Sequence, residues 1–263
     1  MRPLLATQIT QHILWQALTG DLPPLALPPV PIVNAGFDSR DMGQGDLFVA
    51  WQGEQTDGHL YVGQAIHRGA QAVICDERGR EQAVAAGATF IDCRRSAPVS
   101  PAQLWANAPT NSLAGKSLVY IVDSSIDGIQ RVGGFQRNYN ASPKLTVVGI
   151  TGSVGKTSTK ELTSAVLRQR FNTFSNKGNL NSELGLPLTL LELTAEYERA
   201  VLEMGMYSLG EIHTMATLAR PRIGVITNVG PAHLSRLGSI ENIAQAKAEE
   251  RYGAFVDLGG IDG

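Results

Sequence analysis

The order of apolar and polar positions divides the chain into two halves of different texture. Near the start, Ile9, Ile13, Leu14, Ala17 and Leu18 recur at helical spacing between Thr7 as cap and Gly20 as stop, which predicts a short amphipathic helix. The run 22–33 (LPPLALPPVPIV) then excludes helix, because proline lacks the backbone donor and fixes its own φ. Short apolar strands follow at 46–50, 72–75, 89–93 and 118–122, separated by small-residue segments of helical type. Ser100 and Pro101 form a cap and first-turn pair, and 126–140 is expected to be the last helix of this half.

At 141–144 (ASPK) the pattern is punctuated, and a domain boundary is placed there, giving expected domains 1–141 and 142–263. Beyond it, the strand LTVVGIT (145–151) runs into a glycine loop and the helical stretch KTSTKELTSAVLRQR (156–170). Strands RAVLEMG (199–205) and RIGVITNVG (222–230) follow, with helices expected at 209–219 and about 239–250. Near-continuous apolar strands alternating with helices predict an α/β fold with parallel sheets covered on both faces. The first half is then a small α/β domain and the second a P-loop-type parallel-sheet domain.

Composition narrows the class without choosing a function. The 263 residues carry 22 basic and 24 acidic side chains, a net charge of −2, with 43% hydrophobic and 17% charged residues. Such a balance excludes a disordered chain and gives no basic surface for nucleic acid. No stretch of about 18 apolar residues occurs, so neither a membrane span nor a secretory leader is expected, and the predicted location is the cytoplasm. Cys75 and Cys93 are too few for a disulfide framework or a four-ligand zinc site and are expected to be buried free thiols.

The strongest chemical signal is Thr151-Gly-Ser-Val-Gly-Lys-Thr157 between a strand and a helix. Glycines let backbone N–H groups turn toward an anion, and the helix N-terminus adds its positive dipole end. Lys156 can reach the β- and γ-phosphates and the Thr157 hydroxyl can hold Mg²⁺. Five residues, not the four of the Walker spacing, separate Gly149 from Gly155, so the bare alternative is a glycine-rich turn. Glu203, Asn228 and His233 fall at or beyond the ends of parallel strands, where open α/β sheets bind ligands. Taken singly, Glu203 is a strand-end acid, His233 a loop histidine and Lys247 a solvated helix lysine. The Asn- and Gly-rich segment 176–187 is either a surface loop with Asx turns or a reader of a polar substrate.

At these residues the sequence resembles the Mur ligases, ATP-dependent amide-forming enzymes of peptidoglycan assembly. TGSVGKT is similar to the family's TGTxGKT, with the same departure from Walker spacing, and EMG (203–205) and NVGPAH (228–233) fall in the family's order. Within the family, GNLNSELGLPLTLL (178–191) resembles the pattern GNxNNxIGxPxTLL, with Ser182 replacing an Asn. DSRDMGQGDLFVAWQGEQTDGH (38–59) resembles DSRxxxxGxLFVALxGExxDGH. Both patterns mark the branch that joins D-alanyl-D-alanine to UDP-N-acetylmuramoyl-tripeptide.

The resemblance implies that Gly152, Ser153, Val154, Gly155, Lys156, Thr157, Ser158 and Asn228 contact ATP. It implies that Thr157 and Glu203 hold one Mg²⁺, and His233 a second, assisted by Lys247 if carbamylated. Lys156, His233 and Lys247 would carry catalysis. Asp38, Ser39 and Arg40 would lie near the uridine nucleotide, and Asn179 and Asn181 near the muramoyl peptide or the phosphates. It implies a cytoplasmic enzyme of cell-wall synthesis, monomeric at full length. It also implies a third, amine-binding domain with no counterpart here and a central domain longer than the segment after Leu145. The expectation is therefore a C-terminally truncated chain, a sheet edge left open, and doubtful ligase activity on its own. Folylpolyglutamate- or cyanophycin-type ligases, a non-catalytic nucleotide or UDP-sugar binder, and an ordinary P-loop NTPase are the competing expectations.

Overall fold

A computed structural model describes residues 9–25, 27–53, 55–94, 116–231 and 239–248, together with the backbone of 254–257. The chain divides into two compact units, Met1–Phe135 and Gln136–Gly263. Thr7 and the Ser100–Pro101 pair lie outside the described residues.

In the first unit, helix α1 (Gln11–Thr19) starts at Thr10, whose hydroxyl accepts from the Ile13 N–H at 3.4 Å, and stops at Gly20 in the left-handed conformation. Its buried residues Gln11, Leu14, Trp15 and Leu18 sit three and four apart, the face that the apolar spacing marks. Five parallel strands follow: β1 (Ala35–Gly36), β2 (Leu47–Val49), β3 (Ala72–Cys75), β4 (Thr89–Asp92) and β5 (Leu118–Ile121), in the order β1-β2-β3-β5-β4. Strands β2, β3 and β5 are buried at every position, because helices cover both faces of a parallel sheet. Among the described residues, helices α2 (Val62–His67), α3 (Arg80–Ala85) and α4 (Ser125–Phe135) accompany the sheet. Phe48, Val62, Ala65, Val73 and Val119 belong to one apolar cluster. Buried Tyr120 donates its hydroxyl to Gln11 Oε1 at 2.7 Å, which satisfies two polar groups that burial would otherwise leave unpaired. The helix expected over 126–140 is present: it is α-helical to Phe135 and continues as a wider π-helical turn over Gln136–Asn140, where buried Gln136 donates to the Leu193 carbonyl.

The second unit is a parallel sheet in the order β10-β9-β6-β8-β7. Its strands are β6 (Thr146–Thr151), β7 (Thr173–Ser175), β8 (Arg199–Glu203), β9 (Ile223–Ile226) and β10 (Ala254–Asp257). Helices α5 (Lys156–Leu167), α6 (Gly185–Leu191), α7 (Glu211–Ala219) and α8 (Ile240–Ala248) flank it. The three-residue β7 and the β10 segment carry too little pattern to be read from sequence. Helix α6 occupies part of the segment expected to be a loop. Its GLPLTLL run is buried throughout, and Pro187 sits in the first turn, where backbone donors are unpaired in any helix. Leu186, Leu190, Leu202, Met204, Ile212 and Met215 form the main apolar cluster, and Val148, Ile150 and Val201 a second one.

Register fixes where chemistry can occur. Ile150 pairs with Glu203 across β6 and β8, and Thr151 with Ile226 across β6 and β9. After β6 the chain builds β7 and β8 on one side and then crosses to β9 on the other. The crevice at the C-terminal end of β6 is therefore the topological switch point of the sheet.

Candidate active site

The loop that leaves β6 at the switch point is shaped by two glycines. Gly152 adopts φ +148, and a Cβ there would lie 1.9 Å from Thr227 Oγ1. Gly155 adopts φ +84 as the N-cap of α5, so the free amides of the first helical turn open onto the loop. The loop is fastened to the end of β9. Asn228 Oδ1 accepts from the Ser153 and Val154 N–H groups at 3.1 and 2.8 Å. The Ser153 hydroxyl exchanges hydrogen bonds with Gly230 at 2.9 Å in each direction, and Thr227 donates to the Val154 carbonyl at 2.6 Å. Lys156 Nζ folds back onto the Gly152 carbonyl at 2.8 Å, while Ser158 is exposed on the first turn of α5. The Thr151 hydroxyl is buried at the foot of the loop with no hydrogen-bond partner among the described residues.

Glu203, at the end of β8, is 3% exposed. Its Oε2 accepts from the Thr157 hydroxyl at 2.9 Å and its Oε1 from Asn181 Nδ2 at 2.8 Å. Among the described residues no lysine, arginine or histidine pairs with this carboxylate, and a buried anion without a counter-charge is costly. The donor set fits Mg²⁺. A hydroxyl and a carboxylate side by side offer the oxygen ligands that Mg²⁺ takes, in place of the hydrogen bond they now share. No cluster of three or more His, Cys, Asp or Glu occurs among the described residues, and Mg²⁺ bridging phosphates needs none, since water and phosphate supply most of its oxygens.

Lys247 on α8 is 2% exposed, against the reading of a solvated helix lysine. Burial first, and the charge of Lys156 second, lower its pKa from 10.5 to about 8. His233 lies outside the described residues. Of the Asn-rich segment, Asn181 reaches Glu203, Asn179 is exposed, and Asn176 is buried beneath Glu203. The sequence marked Asn176 only as the first residue of the Asn- and Gly-rich segment and did not mark Lys160, because their side chains bond backbone atoms, which leave no recognisable spacing.

In the first unit, Asp38, Ser39 and Arg40 line a cavity of about 680 Å³ together with Phe37, Trp51 and Tyr61. Asp38 caps the turn Ser39–Asp41, accepting from the Arg40 N–H at 2.9 Å and pairing with its guanidinium at 2.6 Å, which holds the Asp38 carboxyl down at about 2. Ser39 donates to Gln64 Oε1 at 2.6 Å. Phe37 and Trp51 meet edge to face at 6.2 Å between centroids. Trp51, Gly53, Gln55, Thr56 and Gly58 line one wall, fixed by the Gln52–Asp57 bridge and by buried His59, whose Nδ1 lies 2.6 Å from Asp57 Oδ1 and Nε2 3.2 Å from Ser125 Oγ. These aromatic walls were missed at the sequence level, because Phe37, Trp51 and Tyr61 are brought together only by the fold.

A glycine loop between a central parallel strand and a helix, ending in Lys-Thr and facing a strand-end carboxylate, defines the second unit as a P-loop-type nucleotide-binding domain. The Mur ligase middle domain profile matches residues 150–249, and the profile described as the Mur ligase family catalytic domain matches 31–112. The chain belongs to the Mur ligase family. It is 36% identical over 220 residues to the UDP-N-acetylmuramoyl-tripeptide--D-alanyl-D-alanine ligase of Synechocystis, covering 84% of this chain and 41% of that one. The Bacillus subtilis enzyme of the same name is 37% identical over 83% of this chain and 40% of its own. Among solved structures, MurF from Acinetobacter baumannii superposes with a TM-score of 0.70 at 28% identity, over 97% of this chain and 49% of that one. MurF from Thermotoga maritima in complex with ADP gives 0.65 at 30% identity, over 86% and 45%. The chain thus spans about two-fifths of the length of the curated relatives it matches.

Proposed function

We propose that this chain supplies the UDP-substrate and nucleotide parts of an ATP-dependent ligase joining D-alanyl-D-alanine to UDP-N-acetylmuramoyl-tripeptide in peptidoglycan synthesis. The observation that carries the reading is the buried Glu203 carboxylate beside the Thr157 hydroxyl at the mouth of the loop ending in Lys156. The names of the relatives give the substrate class. Residues 1–141 would bind the UDP portion, with Asp38, Ser39 and Arg40 at the cavity, and residues 142–263 the nucleotide. No helix among the described residues is long and apolar enough to cross a membrane. The proposed place of the enzyme is the cytoplasm, where ATP is supplied.

In the proposed reaction the tripeptide's terminal carboxylate attacks the γ-phosphorus of ATP, ADP leaves, and an acyl phosphate remains. The dipeptide amine then attacks the acyl carbon, phosphate departs, and the amine loses its proton to leave an amide. A carboxylate is a poor electrophile, and phosphorylation gives it a leaving group. Thr157 and Glu203 would hold Mg²⁺, which would supply compensation for phosphate charge. Lys156 turns from the Gly152 carbonyl to the phosphates, and the loop amides with the α5 N-terminus hold them in line. Asn228 keeps the loop in shape from β9. Asn179 and Asn181 face the muramoyl peptide or phosphates, while His233 and a carbamylated Lys247 serve a second Mg²⁺. The lowered pKa of Lys247 supports that last role, since only a neutral amine adds CO₂.

ADP release measured with Mg²⁺ and ATP, with and without UDP-N-acetylmuramoyl-tripeptide, tests the reading. Release that requires the UDP-linked substrate is expected. Release indifferent to it would instead describe a plain nucleotide hydrolase.

A further inference from the structure

From the geometry beneath Glu203 we infer that Asn176 is a positioning residue for the metal-binding carboxylate, and that Lys160 locks it in place. The inference rests on the reading of Glu203 as a Mg²⁺ ligand. Strands β7 and β8 pair up to Ser175 and Val201, and beyond that point the backbone of β7 turns away into the loop. The Asn176 carboxamide takes over the ladder. Its Oδ1 accepts from the Glu203 N–H at 2.9 Å and its Nδ2 donates to the Glu203 carbonyl at 3.1 Å, so one side chain grips both main-chain groups of Glu203. The same Nδ2 donates to the Leu180 carbonyl at 3.1 Å, one residue before Asn181, whose own amide holds Glu203 Oε1.

Behind it, Lys160 projects from α5, the helix that begins at Lys156. Its ammonium donates to the Asn176 carbonyl at 2.8 Å and pairs with Glu161 at 3.1 Å. Asn176 is 2% exposed and Lys160 1%. Neither can touch a ligand, and a buried lysine bonded to a backbone carbonyl persists only where the surrounding structure needs it. Together they tie three pieces into one unit: the helix that presents Lys156 and Thr157, the strand end that presents Glu203, and the loop that carries Asn179 and Asn181. Hydrogen-bonded partners that orient a metal ligand typically change metal affinity about 10- to 100-fold when removed.

Asn176→Asp is the isosteric test, because a carboxylate can accept from the Glu203 N–H but cannot donate to the two carbonyls. ADP affinity is measured by calorimetry on the whole chain, with Mg²⁺ and with EDTA. In the unaltered chain Mg²⁺ is expected to strengthen ADP binding. In Asn176→Asp that gain is expected to fall about tenfold or more while metal-free ADP affinity stays within about twofold. Lys160→Met is expected to reduce the gain less, in the same direction, and Lys177→Ala, exposed in the same loop, to leave it unchanged. A full Mg²⁺ gain in folded Asn176→Asp would overturn the inference. Should that variant lose its thermal unfolding transition, Lys160→Met decides in the same way. Loss of the transition in both variants would assign the pair to folding alone and also overturn it. No Mg²⁺ gain in the unaltered chain would instead remove the reading of Glu203 itself.

Discussion

At the scale of single residues, burial separates the groups that can react from those that cannot. Cys75 and Cys93 are both buried, and desolvation pushes each thiol from the ordinary 9.0 to about 12. In the unfolded chain both ionise above pH 9, so between pH 9 and 12 the folded state holds more protons and its stability falls as pH rises. Iodoacetamide is therefore expected to leave both thiols unmodified in the native chain at pH 8 and to label two after denaturation. Fast native labelling would contradict the placement. Gly152 is constrained in a different way. Any side chain there meets Thr227 and sits at a φ that L-residues avoid, so Gly152→Ala is expected to cost more than about 1 kcal/mol in urea unfolding. An unchanged midpoint would show that the loop relaxes freely.

Secondary-structure elements were legible where their patterns were long. β6 and β8 announced themselves by apolar runs next to helical periods, and the strand–loop–helix order around Lys156 placed the candidate site before any geometry. Helix α6 was not legible, because it follows an Asn- and Gly-rich stretch and contains Pro187, both turn signals, while tertiary burial of every residue overrides them. The first helix was placed correctly at its Gly20 end and too early at its start, since Thr10 caps it. The aromatic cavity wall and the Asn176 clamp depend on long-range pairing that no local pattern encodes. Because α6 is packed all round, Leu190→Ala is expected to destabilise the second unit by about 2–5 kcal/mol, with the cavity left behind adding to the lost transfer term. A change within ±0.5 kcal/mol in chemical denaturation would mean that this helix is peripheral.

At the scale of the whole molecule, each unit has its own parallel sheet and its own core, and each places one candidate site at its strand ends and connecting loops. The two sites should therefore respond to different ligands. UDP is expected to slow amide hydrogen exchange in 37–64, and Mg²⁺ with ADP to slow it in 152–158. Protection of the same segment by both would merge the sites and contradict the division of labour.

The most direct test of the central claim, that the loop ending in Lys156 holds a magnesium nucleotide, is a calorimetric titration of the whole chain with ATP and Mg²⁺, beside Lys156→Ala. One-to-one binding that weakens by a factor on the order of 10 or more in a variant with an unchanged melting temperature is predicted, as for loss of a charge-assisted contact. Absence of heat in the unaltered chain, or equal binding by both proteins, would contradict it.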